Sequence, residues 1–499
     1  MFQACPHRPH LHATSASHPR PTAGSRIAPA FAIAASALAL VAAAPALAGG
    51  GSTTLSPANS IQATINSGQF SEIILGPGTY AQTFEIDADD LPLTIRSTNP
   101  ADDAVVAATV INGAFFGTST IRMVGGVDET MVFDGITVAN GEATTGGDRG
   151  GAMFIEDSSP IIRRSRIIDS VATSFGGGVW AASSDPLFED CVFAGNRIET
   201  GQRGGAMYVV NGTATVRDCR FVDNFSLLDG GAIFTGNATV DIIGCTFTGN
   251  EAGRNGGAIH VTAPGRVFVS RSTFSENVAS DGASEGRGGA IYYTGTDGGS
   301  VENSVFHDNV ANRFGASFYT TADCTLTNTT HVGELGSGSA SVVASTAGVV
   351  TTIRNAIVTE LDGQSPFVSA AATDVQFSLI EGGFPGTGNI GGDSTSLPIF
   401  VNRAGGDLRL AAGSPGIDAA QALIAGEFPT DADGRPRGLN DPATPDTGVV
   451  FLGVAVDMGA YEFQPAGGPP STCPADLDGN NVVDFVDLLG VLSAFGSCP

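Results

Sequence analysis

Two sets of residues in this 499-residue chain have types and spacing that could do chemistry. The first is the run Asp476-Leu477-Asp478-Gly479-Asn480-Asn481-Val482-Val483-Asp484-Phe485-Val486-Asp487. Side-chain oxygens fall at positions 1, 3, 5, 9 and 12 of a twelve-residue loop, on Asp476, Asp478, Asn480, Asp484 and Asp487, and the Val482 carbonyl falls at position 7. This is oxygen-ligand spacing for Ca2+. Position 12 is Asp rather than the usual Glu, and Asn481 stands where Gly is usual; Asn can still adopt the left-handed turn. The second set is a near-regular aromatic series: Phe154, Trp180, Tyr208, Phe234, His260, Tyr292 and Phe318. Rings held in register could present π-faces to the apolar C–H faces of sugars. Two other readings stand beside this one: the rings only stabilise a sheet by stacking, or they belong to the core.

The elements that would hold the aromatic series in register follow from an internal repeat. Gly-Gly-Ala or a close variant recurs at Gly150, Gly176, Gly204, Gly230, Gly256 and Gly288, with a degenerate copy at Phe314-Gly315-Ala316. A second motif, Phe-x-x-Asn, runs in phase with it: Phe193 to Asn196, Phe221 to Asn224, Phe247 to Asn250, Phe274 to Asn277 and Phe306 to Asn309, preceded by Ile167 to Ser170. A period near 26 residues fits one coil of three short strands with turns. The leucine scaffold of a leucine-rich repeat is absent, and a propeller blade needs about 40 residues. Stacked parallel coils place equivalent residues about 4.8 Å apart. Phe193 through Phe306 then form an interior ladder. Ser165, Cys191, Cys219, Cys245, Ser272 and Ser304, two residues earlier, share its face. Asn196, Asn224, Asn250, Asn277 and Asn309 form an asparagine ladder that can satisfy turn backbone groups. The Cys rungs read as small inward fillers, because Ser replaces them at both ends. The apolar residue before each aromatic (Met153, Val179, Met207, Ile233, Ile259, Ile291) is expected to point inward, so the aromatic is expected to point outward.

Composition narrows the function. The formal charge is -27 and the chain contains no lysine, which removes Schiff-base and lysine-base chemistry. So acidic a chain repels nucleic acid and anionic lipid. An acidic polymer would need bridging Ca2+ or a local arginine cluster. Residues 1–48 carry Arg8, Arg20 and Arg26, an apolar run and the terminal Ala46-Leu47-Ala48, the pattern of a cleaved signal peptide, with a membrane anchor as the other reading. Cleavage removes three Arg and no acid, taking the charge from -27 to -30. No later stretch is long and apolar enough for a membrane helix.

The paired Gly-Gly-Ala-(Ile/Met) and Phe-x-x-Asn motifs resemble the repeats of the chlamydial polymorphic outer membrane proteins, over about residues 145–320. Ser60–Asn66, Glu72–Leu75, Gly76-Pro77-Gly78-Thr79-Tyr80 and Phe84–Ile86 are similar to the opening coil of pectin-lyase-like β-helices. Gly406–Leu410, Gly413–Asp418 and Val456–Glu462 look like a closing segment common in secreted bacterial β-helix proteins. These resemblances imply an all-β, right-handed parallel β-helix over residues 49–463. No series of alternating ten-residue strands follows, so the membrane β-barrel of the chlamydial proteins is not expected.

Gln464–Thr472 reads as a linker by composition. The calcium loop and the amphipathic run Leu488–Phe495 resemble one half of a type I dockerin. That resemblance implies an EF-hand-like α unit over residues 473–499, binding Ca2+ and a cohesin-like or other surface partner. Dockerins carry two such repeats and this chain has one. Cys473 and Cys498 flank the unit and are expected to bridge, because so small a unit needs a staple beside its metal. A solvated acidic tail is the other reading.

Two function classes remain. One is a secreted or cell-surface, non-catalytic rod that adheres to or interacts with carbohydrate, attached by its tail. The other is an extracellular polysaccharide lyase or glycoside hydrolase. Acids and arginines such as Asp157, Asp185, Glu189, Arg203, Asp218, Arg254 and Arg287 form no catalytic cluster in sequence, and fold does not decide between the classes.

Overall fold

The computed structural model describes residues 50–465, apart from 146–147, 199, 281–285, 297, 337–339, 347, 362–364, 370–372, 393–397, 423–428 and 452–453. The expected signal peptide, most of the linker, the calcium loop and the Cys473–Cys498 pair lie outside the described residues.

Each repeat passes through four strands. In one coil these are Met207–Val210, Thr213–Arg217, Arg220–Val222 and Phe225–Ser226. Every strand pairs in parallel with its counterpart one coil on, as Phe221 does with Phe247. Among the described residues this builds sheets of 11, 13, 13 and 8 strands, here called sheets 1 to 4 in the order the coil visits them. The architecture is a parallel β-helix. The expectation of three strands per coil is corrected: between Glu142 and Gly336 a fourth, two-residue strand follows the asparagine turn. Two residues are too few to show a period in sequence. Its second position is inward and buried, mostly alanine: Ala143, Ala172, Ala252, Ala279 and Ala311.

The interior ladders hold the coils together. Phe193, Phe221, Phe247, Phe274 and Phe306 stack with centroids 4.6 to 4.9 Å apart and planes within 6°. Such pairs add about 0.5–1.5 kcal/mol each beyond burial. In the asparagine column, Asn224 Nδ2 donates to Asn250 Oδ1 at 2.9 Å and to the Phe193 carbonyl at 3.0 Å, while its backbone N–H donates to the same Asn250 Oδ1 at 3.1 Å. Each rung thus satisfies buried polar groups from two coils. The small column works alike: the Cys191 and Cys219 N–H groups point at the next sulfur at 3.3 and 3.4 Å, and Cys245 N–H donates to Ser272 Oγ at 3.1 Å. These cysteines are free and buried, and burial pushes the Cys219 and Cys245 thiols well up, so they are inert fillers.

Glycine is obligatory at the sheet 4 to sheet 1 bend. Gly230 sits at φ 66°, and a Cβ on Gly231 would lie 2.1 Å from the Gly257 carbonyl oxygen. The degenerate last copy is shifted by one from its expected alignment. Gly315 (φ 65°) takes the first glycine position, so Gly315-Ala316-Ser317 replaces Phe314-Gly315-Ala316. Phe318 then pairs with Ile291 and is buried inside, and Tyr319 pairs with Tyr292 as the aromatic rung. Tandem aromatics at 318–319 hid this step of 27 residues.

Both ends of sheet 3 are walled on its outer side. The opening coil is capped by a helix, Ile61–Ile65, whose N-cap Ser60 accepts from Ala63 N–H at 3.1 Å. A second helix, Asp103–Ala108, lies beside sheet 3, where Thr137 Oγ1 donates to the Val106 carbonyl at 2.8 Å. At the other end the chain leaves the coil and folds back. Leu408 and Ala460 pack on Val305 and Val332. Arg403 pairs with Asp308 at 2.7 Å and Glu360 at 2.9 Å. Buried Arg437 donates to Asn303 Oδ1 at 2.9 Å and pairs with Glu462 at 3.4 Å. The segment expected to close the fold therefore acts as a lateral brace.

Candidate functional site

The expected inward positions Met153, Val179, Met207, Ile233, Ile259 and Ile291 are fully buried in the core. The aromatic rungs occupy the opposite face of sheet 1, in register: Phe154–Trp180, Tyr208–Phe234, Phe234–His260, His260–Tyr292 and Tyr292–Tyr319 have centroids 4.5 to 5.2 Å apart. They are not a bare platform. Trp180, Phe234 and His260 are only 3%, 2% and 5% exposed. A second column covers them, formed by the residue before each glycine pair: Arg149, Phe175, Arg203, Asp229, Asn255 and Arg287. The Arg149 guanidinium lies 4.8 Å from the Trp180 ring and Arg203 lies 5.0 Å from Phe234, while Phe175 packs on Tyr208 at 4.6 Å.

Asp229 anchors that cover. Fully buried, it pairs with Arg203 Nε at 2.9 Å, with Arg254 and with His260 Nδ1 at 3.4 Å. Burial pushes the Asp229 carboxyl up, but His260 and Arg254 outweigh it and hold it well below the usual carboxylate range. Burial leaves His260 lowered. Ring faces are thus taken by neighbouring rings and guanidinium groups, and the arrangement is that of an outer structural cluster.

Open surface lies on sheet 3 instead. Between the Asp103–Ala108 helix and the C-terminal brace, its outer face is partly exposed among the described residues from the Arg166 strand to the Thr246 strand, while Ser275 of the next strand is buried. Four strands at about 4.8 Å spacing make a window about 14 Å wide along the axis. Its middle is small and apolar, with Ile168, Ala194 and Val222 in register and half-buried. A cavity lies at each long edge. Towards sheet 4, an open groove of about 460 Å3 is lined by Asp169, Arg197, Asp223, Phe225 and Glu251 with Gly195 and Gly249. Towards sheet 2, a notch of about 190 Å3 is lined by Pro100, Asp103, Arg164, Arg166, Asp190 and Arg220 among others.

The groove has a simple origin. Over four coils the residue before the asparagine-column position alternates between acid and glycine: Asp169, Gly195, Asp223, Gly249. All four have positive φ. A Cβ on Gly195 would meet Asp169 Oδ1 at 2.6 Å, and one on Gly249 would meet Asp223 Oδ1 at 2.4 Å. Each glycine therefore leaves room for the carboxylate of the preceding coil. On the adjoining column, Arg197 lies over Phe225 at 5.7 Å, followed by Glu251. A half-buried aromatic ring among carboxylates and a guanidinium can pack an apolar ring face and accept or donate hydrogen bonds to hydroxyls. The sequence reading missed this groove and the notch, although the acid–glycine alternation was visible there. Among the described residues no cluster of acids, His and Cys has the geometry to hold a metal ion.

Comparison with known proteins agrees with this fold. The family described as right handed beta helix region matches residues 98–247, and the Chlamydia polymorphic membrane protein repeat matches residues 244–262. The fold is accordingly a right-handed parallel β-helix. Among solved structures the chain is similar to the pectate lyase Pel9A, at 15% identity, 83% of this chain, 97% of that one and TM-score 0.43. It is similar to the PL6 family alginate lyase AlyGC, at 12% identity, 66% of this chain, 51% of that one and TM-score 0.34. It is also similar to the catalytic domain of a GH87 alpha-1,3-glucanase in complex with nigerose, at 10% identity, 66% and 64% coverage and TM-score 0.27. No curated protein matches the chain. Among the described residues no helix is long and apolar enough to cross a membrane.

Proposed function

We propose that this is a secreted or cell-surface, non-catalytic rod that binds carbohydrate across the open window of sheet 3. The observation that carries the reading is the 460 Å3 groove, where Phe225 and Arg197 stand among Asp169, Asp223 and Glu251 at the edge of a small apolar floor. A strand and its turns span about 15 Å from the notch to the groove at about 3.3 Å per residue, enough for a few sugar units. The 49–463 helix is the rod in this reading. The 473–499 unit binds Ca2+ through Asp476, Asp478, Asn480, Val482, Asp484 and Asp487 and attaches the rod to a cohesin-like or other surface partner. Residues 1–48 direct export.

Glycoside hydrolysis is the second reading, and one observation favours it. Asp169 and Asp223 stand two coils apart, about 9.6 Å by coil spacing. That is near the upper end of the carboxyl separation in inverting glycosidases, about 6.5–9.5 Å.

The test incubates the secreted chain with neutral and acidic polysaccharides, following binding, new reducing ends and unsaturated products together. Binding without turnover, weakened by Phe225→Ala, supports the rod. Reducing ends lost in Asp223→Asn establish the hydrolase, and no binding to any glycan overturns both readings.

A further inference from the structure

The notch at the other edge of the window has chemistry unlike the rest of the molecule. Its lining carries three arginines, Arg164, Arg166 and Arg220, against two acids, Asp103 and Asp190, in a chain with 50 acids and 23 basic residues. Two of the three guanidinium groups are held in place. Arg164 grips Asp134 through two bonds, Nε to Oδ1 at 2.8 Å and Nη2 to Oδ2 at 2.5 Å, and Asp134 itself is buried and also pairs with Arg163 at 2.9 Å. Arg166 pairs with Asp103 at 3.1 Å, on a carboxylate that is 83% exposed and so competes with water. Arg220 is exposed, and its guanidinium has no ion-pair or hydrogen-bond partner among the described residues. Register places Arg166 and Arg220 in one column with Val192 between them, so they flank a half-buried apolar step about 9.6 Å from end to end.

We propose that this notch is the subsite for an anionic group of the bound glycan, a carboxylate or a sulfate carried on a sugar ring. The inference rests on the glycan-binding reading above and adds the substrate class: an acidic polysaccharide whose charged substituent meets Arg220 and Arg166 while its backbone crosses Val192 and Val222 towards Phe225. Guanidinium forks match planar carboxylates and sulfates with paired N–H donors, and here a free fork stands beside one pinned only by an exposed acid. The surrounding negative charge makes the notch selective. The charged substituent is repelled by the acids of the groove and held where the arginines gather, so the bound sugar is oriented with its anionic group at the notch and its hydroxyls towards the groove.

The experiment compares matched pairs of polymers on the full secreted chain: a uronate polymer with its carboxyl-reduced form, and a sulfated polymer with its desulfated form. Wild type, Arg220→Ala, Arg220→Lys and Phe225→Ala are measured at low and at physiological salt. The expected result is that one acidic member binds more tightly than its neutral partner. Arg220→Ala weakens that binding about tenfold or more, Arg220→Lys recovers only part of it, and the neutral partner is unaffected. The pair that shows the preference tells carboxylate from sulfate. Equal binding of both members, or an Arg220→Ala variant that binds the acidic member like wild type, overturns the subsite while leaving the glycan reading intact. No binding to any polymer overturns both. Circular dichroism and the unfolding midpoint confirm that Arg220→Ala is folded, as its exposed side chain requires.

Discussion

Asn309 Nδ2 donates to Glu334 Oε1 across 3.0 Å, the last link of the interior asparagine column. Every earlier rung hands its amide to the amide oxygen of the next coil; Glu334 supplies the acceptor where the repeat stops. The same coil also changes the phenylalanine column and the column of the alanine that follows each glycine pair. His331 stacks on Phe306 at 4.9 Å in the phenylalanine position, and its Nδ1 lies 2.8 Å from Oγ of Ser317, which stands in the alanine position. All three side chains are buried, so this polar cluster terminates the repeat inside the core, out of reach of any substrate.

Burial pushes the Glu334 carboxyl up from the ordinary 4.5 to about 8. The folded state therefore keeps a proton that the unfolded chain releases. By linkage, the contribution of Glu334 to stability falls as pH rises from about 4.5 to about 8 and is level on either side. Glu334→Gln keeps an acceptor oxygen and removes the titration. Its unfolding free energy from chemical denaturation should match wild type near pH 4.5 and exceed it at pH 8, by an amount on the order of a few kcal/mol. Identical pH profiles for the two proteins would show that the carboxyl ionises freely in the folded state.

Asn250→Ala should cost about 2–5 kcal/mol in chemical denaturation. The change removes donors to the Phe221 carbonyl and Asn277 Oδ1 and strips Asn224 of its acceptor, leaving several buried polar groups unpaired. A loss below about 1 kcal/mol would mean that water replaces the rung.

Trp180→Ala separates structure from binding. Trp180 packs on Phe154 at 4.5 Å beneath Arg149, so its loss should cost about 3–5 kcal/mol. Glycan affinity of the folded variant should equal wild type, measured well below its unfolding temperature. Weakened affinity with an unchanged melting temperature would return the outer aromatic series to a binding role.

Calcium titration of the full chain by calorimetry should show one site that Asp478→Ala abolishes and Arg220→Ala leaves intact. Absence of a calcium heat in wild type would leave the C-terminal run as an acidic tail.

Much of the fold was legible because its signals repeat. Phe193 to Phe306, the Cys/Ser fillers and the Asn rungs announced themselves by recurring in phase, and all three columns stand where that phase puts them. What failed was local. The two-residue strand at Phe225–Ser226 is too short to carry a pattern, and the step to Phe318–Tyr319 gained one residue at a place where two aromatics adjoin. The cover over Trp180 and Phe234 was hidden because turn residues such as Arg149 and Asp229 reach it only after the bend at the glycines is folded. The window was illegible for a similar reason. It is bounded by helix Asp103–Ala108 and by Leu408 and Ala460, distant in sequence from the strands they border.

Amide hydrogen exchange of the full chain, with and without a bound polysaccharide, tests the central claim most directly. The account predicts protection in peptides spanning 192–198 and 220–226, with strands 179–182 and 207–210 unchanged. Protection confined to those two strands of sheet 1, with none at Arg220 to Phe225, would contradict it.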